Sequence, residues 1–235
     1  MLVPPGRRLN DAAFVEHIRS VLKPDAALTF MVSQIFEAPL LAACTTPTNY
    51  HDGLLPQYRG IAATAWSLYR GAPRSGFAYH HMNEAVDAGP VLLEDTVPVP
   101  PGAVTADVAQ AKTTLAAKRM PEALGLILEG AAGRAQEGEP STFTSADLKA
   151  IREVGDPSLQ TWAELERRLR SFELIHLELA GKRWEVTALR RVARNPRRAQ
   201  LAFTTADGVR AEPTRFVHLP LSVYRVYRPL RGKTA

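Results

Sequence analysis

Apolar residues at Phe14, Ile18 and Leu22 follow Asn10 and Asp11 at a spacing of four. That spacing predicts a capped amphipathic helix over 10–23, ended by Pro24. After Asp25 the run Ala-Ala-Leu-Thr-Phe-Met-Val has no alternation, the mark of a buried parallel strand. Pro39 to Cys44 reads as a short helical piece, Thr48–Tyr50 as a brief strand, and Ile61–Tyr69 as a helix stopped at Gly71. Phe77–Met82 reads as a strand. Val91–Val99 alternates and stops at Pro-Pro-Gly. Thr105 to Gly130 reads as one long helix with Ala116, Met120 and Leu124 on one face, and Pro121 predicts a kink in it. Residues 131–160 are rich in Gly, Ala, Ser, Glu and Pro and hold no long apolar run, which predicts linker and extended loop. Trp162–Phe172 reads as a short charged helix. Strands then follow at Leu174–Leu179, Trp184–Leu189, Ala199–Thr204 and Phe216–Leu219, with turns at Gly181 and Asp207-Gly208.

The pattern predicts an α/β domain over 1–140, a linker over 141–157, and a small β-rich domain over 158–235. With 235 residues, 46% hydrophobic and 23% charged, the chain has the composition of an ordinary globular protein. The single cysteine, Cys44, excludes an internal disulfide framework and a cysteine-built zinc site. No apolar run reaches the ~20 residues that span a bilayer, and MLVPPGRRLND lacks the apolar stretch of a signal peptide; the expectation is a cytoplasmic protein without a membrane partner. Charge changes the picture more. Residues 1–150 carry 12 Lys and Arg against 15 Asp and Glu, a net of −3, and residues 151–235 carry 17 against 9, a net of +8. The last third is therefore basic, which fits either an anionic partner or a solvated basic face.

Candidate chemistry concentrates in Asn49-Tyr50-His51-Asp52-Gly53-Leu54-Leu55-Pro56-Gln57-Tyr58-Arg59-Gly60, between a predicted strand and a predicted helix. Ligands of open α/β sheets bind at such strand ends. Two residues apart on extended chain, Asn49 and His51 project to one side. A neutral histidine passes a proton near pH 7, and an asparagine amide donates to a developing oxyanion. Asp87, in Val86-Asp87-Ala88-Gly89-Pro90, is placed to orient the histidine or order a water. The plainer alternatives are a structural histidine and a turn aspartate.

At these residues the sequence resembles the folate-dependent formyltransferases. The resemblance rests on Asn49-x-His51-x-Gly53-Leu54-Leu55-Pro56, Arg59-Gly60, the helix ending in Gly71, Ser75-Gly76 and Asp87-Ala88-Gly89, and it covers roughly residues 2–140. It implies a Rossmann-like formyltransferase domain with its first strands missing, before the segment that matches Leu2-Val3-Pro4. A truncated start, a second subunit or a differently closed sheet would each account for that, and a homodimer is one form of the second. The resemblance implies Asn49, His51 and Asp87 as the catalytic triad. Asn49 and His51 together would stabilise the oxyanion, and 10-formyltetrahydrofolate would be the formyl donor. It implies Ser33, Gln34, Ile35, Phe36 and Val86 as pterin contacts, His80 as an acceptor contact, and no metal. The acceptor would be the amine of a small molecule, with or without phosphate, or methionyl-tRNA. A folate- or RNA-binding module without turnover and a formyltetrahydrofolate hydrolase are the alternatives. Gly53 stands where the family has serine, which reads as a changed turn preference, and Asp52 reads as a solvent-facing carboxylate.

Overall fold

The computed structural model describes residues 8–32, 34–193 and 196–218. The chain divides into two compact units, Met1–Thr144 and Ser145–Ala235. In the first, Asp11 caps helix α1 (Ala12–His17) by accepting from the amides of Ala13 and Phe14, and a π-type turn over Ile18–Leu22 continues it. Strand β1 (Ala27–Phe30), helix α2 (Ala38–Leu41) and strand β2 (Pro47–His51) follow. Next come the short β3 (Arg59–Gly60), α3 (Ala63–Tyr69), β4 (Arg74–His81), β5 (Val91–Pro98) and α4 (Thr105–Leu128), which runs unbroken through Pro121. The main sheet has the order β1-β2-β4-β5. β1 and β2 are parallel, as the unalternating run predicts, whereas β4 is antiparallel to both of its neighbours.

This sheet sorts the residues of β2 by parity. Tyr50 turns into the core with Phe77, Tyr79 and Leu93, closed by Ala116 and Ala123 of α4. Small residues on the helix let it lie close, and the Tyr79 hydroxyl donates to the Ala116 carbonyl at 2.9 Å, so the buried phenol is satisfied. Burying an aromatic such as Phe77 contributes about 2 to 3 kcal/mol. Asn49 and His51, one step either side of Tyr50, therefore project from the opposite face.

Residues 131–143 differ from the expected loose linker. Arg134 exchanges two backbone hydrogen bonds of 2.8 Å with Val91, and β6 (Thr142–Phe143) pairs with β3. The Phe143 ring stacks on Trp66 with centroids 4.3 Å apart. Backbone pairing and an aromatic anchor help hold this strap down, and neither leaves a periodic signature. Over 141–157, where the sequence predicts a linker, the structure has β6, then α5 (Ser145–Arg152) and β7 (Glu153–Gly155).

The second unit continues with α6 (Trp162–Phe172), β8 (Ile175–Leu179), β9 (Lys182–Arg191), β10 (Phe203–Thr204) and β11 (Arg210–His218). Its sheet order is β10-β11-β9-β8-β7. Leu165 of α6 packs on Ile175, Leu177, Leu179 and Val186 of the sheet. Ala180 and Gly181 join β8 to β9 with φ of 52° and 69°, the two-residue turn that suits the twist of a hairpin. The strand expected over Ala199–Thr204 is mostly a 3-10 turn, Ala199–Leu201. Here the backbone amides of Arg197 and Arg198 donate to the buried Glu212 carboxylate at 3.2 and 2.9 Å, and those donors are lost to a ladder. The strand expected over Phe216–Leu219 begins earlier, at Arg210, and Leu219 lies outside the described residues.

Candidate active site

The register of the main sheet lines up three polar side chains from three strands. Thr29 of β1 pairs with Asn49 of β2, and Asn49 pairs with His80 of β4. The Thr29 hydroxyl donates to Asn49 Oδ1 at 2.8 Å. Asn49 Nδ2 lies 3.3 Å from His80 Nε2. The other ring nitrogen of His80, Nδ1, donates to the His81 carbonyl at 2.8 Å, which leaves Nε2 to face both the Asn49 amide and the Asp87 carboxylate. The amide of Asn49 is thus fixed at both ends, with the second N–H of Nδ2 left to donate elsewhere.

His51 is buried, and its ring reaches two partners. Nε2 lies 2.6 Å from the Tyr58 carbonyl, an acceptor only, so Nε2 carries the proton. That leaves Nδ1, 3.3 Å from Asp87 Oδ2, as the basic nitrogen. Burial pushes the His51 pKa down, opposed by the Asp87 charge and the Tyr58 carbonyl, and the net direction is down. Burial pushes the Asp87 carboxyl up, but His80, His51 and the Gly60 amide outweigh it and hold Asp87 below the usual carboxylate value. The Gly60 N–H donates to Asp87 Oδ2 at 2.8 Å, and His80 Nε2 lies 3.4 Å from Asp87 Oδ1. A neutral base facing an ionised carboxylate is a pair ready to take a proton and stabilise the resulting cation.

The loop carrying these groups is packed tightly. A Cβ on Gly76 would meet the Leu54 side chain at 2.5 Å, and one on Gly89 would meet the His81 carbonyl oxygen at 1.9 Å. Asp52, expected to face solvent, instead binds the buried Lys112, whose Nζ lies 2.8 Å from Asp52 Oδ1. The Thr64 hydroxyl also donates to the Asp52 carboxylate. The reason is the parity of β2: Asp52 leaves the strand on the side of Tyr50, toward α4.

Of the residues implied by the resemblance, Asn49, His51, His80 and Asp87 come together. His80 is buried against Asn49 and Asp87, only 1% exposed, so its ring backs these two. Ile35 and Val86 present apolar surface, 65% and 43% exposed, Phe36 is half-buried and Gln34 exposed. Ser33 lies outside the described residues. The Asn10 side chain ties down the 34–37 loop, donating to the Ile35 carbonyl at 2.9 Å and accepting from the Glu37 amide at 3.1 Å. A polar pocket of about 420 Å³ opens beside it, lined by Arg8, Asn10, Asp11, Ala12, Gln34 and Glu37; none of the four clustered residues lines it. Residue-level reading missed Thr29, which only the strand register reveals. It also missed the Tyr58 carbonyl and the Gly60 amide, which are backbone groups without a sequence signature.

The structure thus brings Asn49, His51 and Asp87 together, His51 buried and the other two half-buried, at the end of β2 and in the loop after β4 of an α/β sheet. Residues 6–124 match the model of the family described as Formyl transferase, about half of the chain, and the chain belongs to this family. It is 35% identical over 105 residues to a methionyl-tRNA formyltransferase of Syntrophus aciditrophicus (strain SB), covering 43% of this chain and 32% of that protein. Its fold matches a sugar N-formyltransferase from a Shewanella species with a TM-score of 0.67 at 20% identity, covering 81% of this chain and 77% of that one. It also matches HypX from Aquifex aeolicus, solved in complex with tetrahydrofolic acid, with a TM-score of 0.66 at 17% identity, over 91% of this chain and 40% of that one. The chain spans from 32% to 55% of the length of the first curated relatives it matches.

Proposed function

We propose that this chain is an N-formyltransferase that moves a formyl group from 10-formyltetrahydrofolate to a primary amine. The observation that carries the reading is the 3.3 Å approach of His51 Nδ1 to Asp87 Oδ2, beside an Asn49 amide held by Thr29 and His80, in a member of this family. The amine nitrogen attacks the formyl carbon, and the carbonyl electron pair moves onto oxygen. The free N–H of Asn49 donates to that oxyanion. His51 Nε2 is engaged by the Tyr58 carbonyl, so the second oxyanion contact implied by the resemblance is left out of this scheme. The His51–Asp87 pair takes the proton from the attacking amine and returns it, through a bound water, to N10 as the carbon–N10 bond breaks. The products are the N-formyl compound and tetrahydrofolate.

The exposed faces of Ile35 and Val86 fit an aromatic pterin, and Gln34 and Phe36 belong to the same proposed wall. A matched structure holds tetrahydrofolic acid, which supports a folate donor. The relatives' names include tRNA and sugar amines. We favour a small amine, with methionyl-tRNA as the other outcome. A cytoplasmic setting goes with this reading, a reducing compartment suited to the lone thiol of Cys44.

The test incubates the protein with 10-formyltetrahydrofolate and a panel of amines while following tetrahydrofolate release. Amine-dependent release, lost in His51→Ala and Asp87→Ala, is expected. Release without any amine means hydrolysis. Tight folate binding without release overturns the reading in favour of a binding module.

A further inference from the structure

The strap over 131–143 carries one side chain whose every polar group is engaged around the candidate site. Gln136 Nε2 donates to the main-chain carbonyls of Asp87 and Gly89, both at 2.8 Å. Gln136 Oε1 accepts from Arg59 Nε at 3.1 Å and from the terminal Nη2 of the same guanidinium at 2.7 Å. We infer that Gln136 is a positioning residue for Asp87, clamping the Asp87 loop to the Arg59–Gly60 strand so that the carboxylate stays on His51. The inference rests on the formyl-transfer reading for its kinetic consequence.

Two further observations support it. Asp87 has φ of 50°, a left-handed conformation that a non-glycine residue keeps only where its surroundings over-determine it. The Gly60 amide holds the Asp87 carboxylate, and Gln136 holds the Asp87 carbonyl. One amide therefore controls both sides of the Gly60–Asp87 contact, because it also binds Arg59, the neighbour of Gly60. The chemistry requires a primary amide: a glutamate accepts but cannot donate to two carbonyls, a lysine donates but cannot accept from arginine, and a methionine does neither. The strap itself is seated by backbone bonds, from the Arg59 amide to the Ser141 carbonyl at 2.9 Å and from the Ser141 amide to the Pro56 carbonyl at 3.1 Å. Gly60 is pressed against it, since a Cβ there would lie 2.1 Å from the Phe143 carbonyl oxygen. The clamp thus comes from a segment downstream of the part that matches the family, residues 6–124.

The test compares the wild-type protein with Gln136→Met, Gln136→Glu and Ser141→Ala. The last removes two strap contacts of the hydroxyl, its bond to the Gln57 carbonyl and the one it accepts from Arg70 Nη1 at 3.1 Å, neither of which touches Asp87 or Arg59. Two readouts are taken, formyl-transfer kinetics and the NMR titration of the His51 ring nitrogens. His51 faces Asp87, His80 and Asp52, and of these Gln136 touches only Asp87. In Gln136→Met, kcat should fall about 10- to 100-fold, the effect of a misplacement of about 1 Å, with KM for the folate changed less than about twofold. The His51 midpoint should fall, because the aspartate charge that raises it has moved away. Gln136→Glu keeps the arginine contact and loses both donations, so it should share the loss in kcat; it serves in place of the methionine variant if that fails to fold. Ser141→Ala should match the wild type in both readouts. Unchanged kcat in the folded variants overturns the inference, as does a loss of kcat with an unmoved His51 titration, which would mean a merely structural role. If the wild type transfers no formyl group, the titration still decides the clamp on its own, and it is the activity reading that fails.

Discussion

Gly53 shows how one missing methyl group sets the position of a candidate base. A Cβ at this position would lie 2.6 Å from Ala63 Cβ, 2.8 Å from the Tyr58 carbonyl oxygen and 2.9 Å from His51 Nε2. Two of these neighbours are the partners of one hydrogen bond, the one that fixes the His51 tautomer. The glycine that read as a changed turn preference is required here by space. Gly53→Ala should wedge the imidazole off the Tyr58 carbonyl and lower kcat/KM about 100-fold, measured beside Tm to separate it from unfolding. The same residue scale governs pH. Burial depresses the His51 pKa, so the ring is neutral through pH 7, and kcat/KM should stay level there and fall only on the acid side of the ordinary histidine value. Stability moves with the same sign. Below about 6.5 the unfolded chain binds a proton that the folded chain resists, so His51 costs stability as pH falls. Asp87, also depressed, contributes stability above its unfolded value and loses it as pH drops through its folded one. A pH–rate profile alongside urea midpoints at several pH values checks both; a profile falling on the alkaline side would contradict the assignment of His51 as the base.

At the scale of elements, α4 carries a charge into the core. Lys112 sits four residues from both Val108 and Ala116 and is fully buried like them. Its ammonium donates to the Asp52 carbonyl at 2.9 Å, the Thr64 hydroxyl at 2.6 Å and the Gly76 carbonyl at 3.2 Å. Together with the Asp52 carboxylate, these ties join α4 to α3, β4 and the loop that follows β2. Burial pushes the lysine pKa down against the pull of Asp52. Lys112→Met leaves Asp52 unpaired and should destabilise the protein by about 3 kcal/mol, the low end for breaking a buried pair because Asp52 retains some solvent. Adding Asp52→Asn should recover part of that loss in urea denaturation; equal or greater loss in the double variant would show that the pair is not the source. The signal was present in the sequence as a lysine on the apolar stripe of a helix. Elements with clear periodicity were legible in the same way: α6 matches the charged helix expected over Trp162–Phe172, and β2 and β4 overlap the strands expected over Thr48–Tyr50 and Phe77–Met82. The strap with Gln136 was not legible, because amide and backbone bonds between segments distant in sequence leave no period behind. Asn49, His51 and Asp87 were legible as a motif, whereas the partners that orient them, Thr29 and the Tyr58 carbonyl, required the sheet register and the loop path.

On the scale of the whole molecule, charge bears on the choice of acceptor. Residues 151–235 carry a net charge of +8, which by itself suits a polyanion. The described side chains temper that reading. Arg167 and Arg168 are paired with Glu164, Arg183 with Glu153, and Arg190 with the buried Glu212. Among the described residues, two aromatic faces are covered from within the unit, since the Arg191 guanidinium lies 5.0 Å from the Trp162 ring centroid and that of Arg198 4.7 Å from Phe216. A single-strand platform needs such faces open. The net charge of +8 already counts these carboxylates, so it suits either an acceptor with one or two phosphates or a nucleic-acid backbone. Salt distinguishes the two directly. A polyanion held through 6 to 10 phosphate contacts loses roughly 10³ to 10⁵ in affinity between 50 and 200 mM salt, whereas an acceptor with two phosphates loses about tenfold. The acceptor KM, measured at saturating folate across that range, is expected to follow the shallow course. A slope steep enough to demand six or more contacts would transfer the assignment to tRNA, and would mean that the arginines paired in the described structure exchange their carboxylates for phosphates on binding.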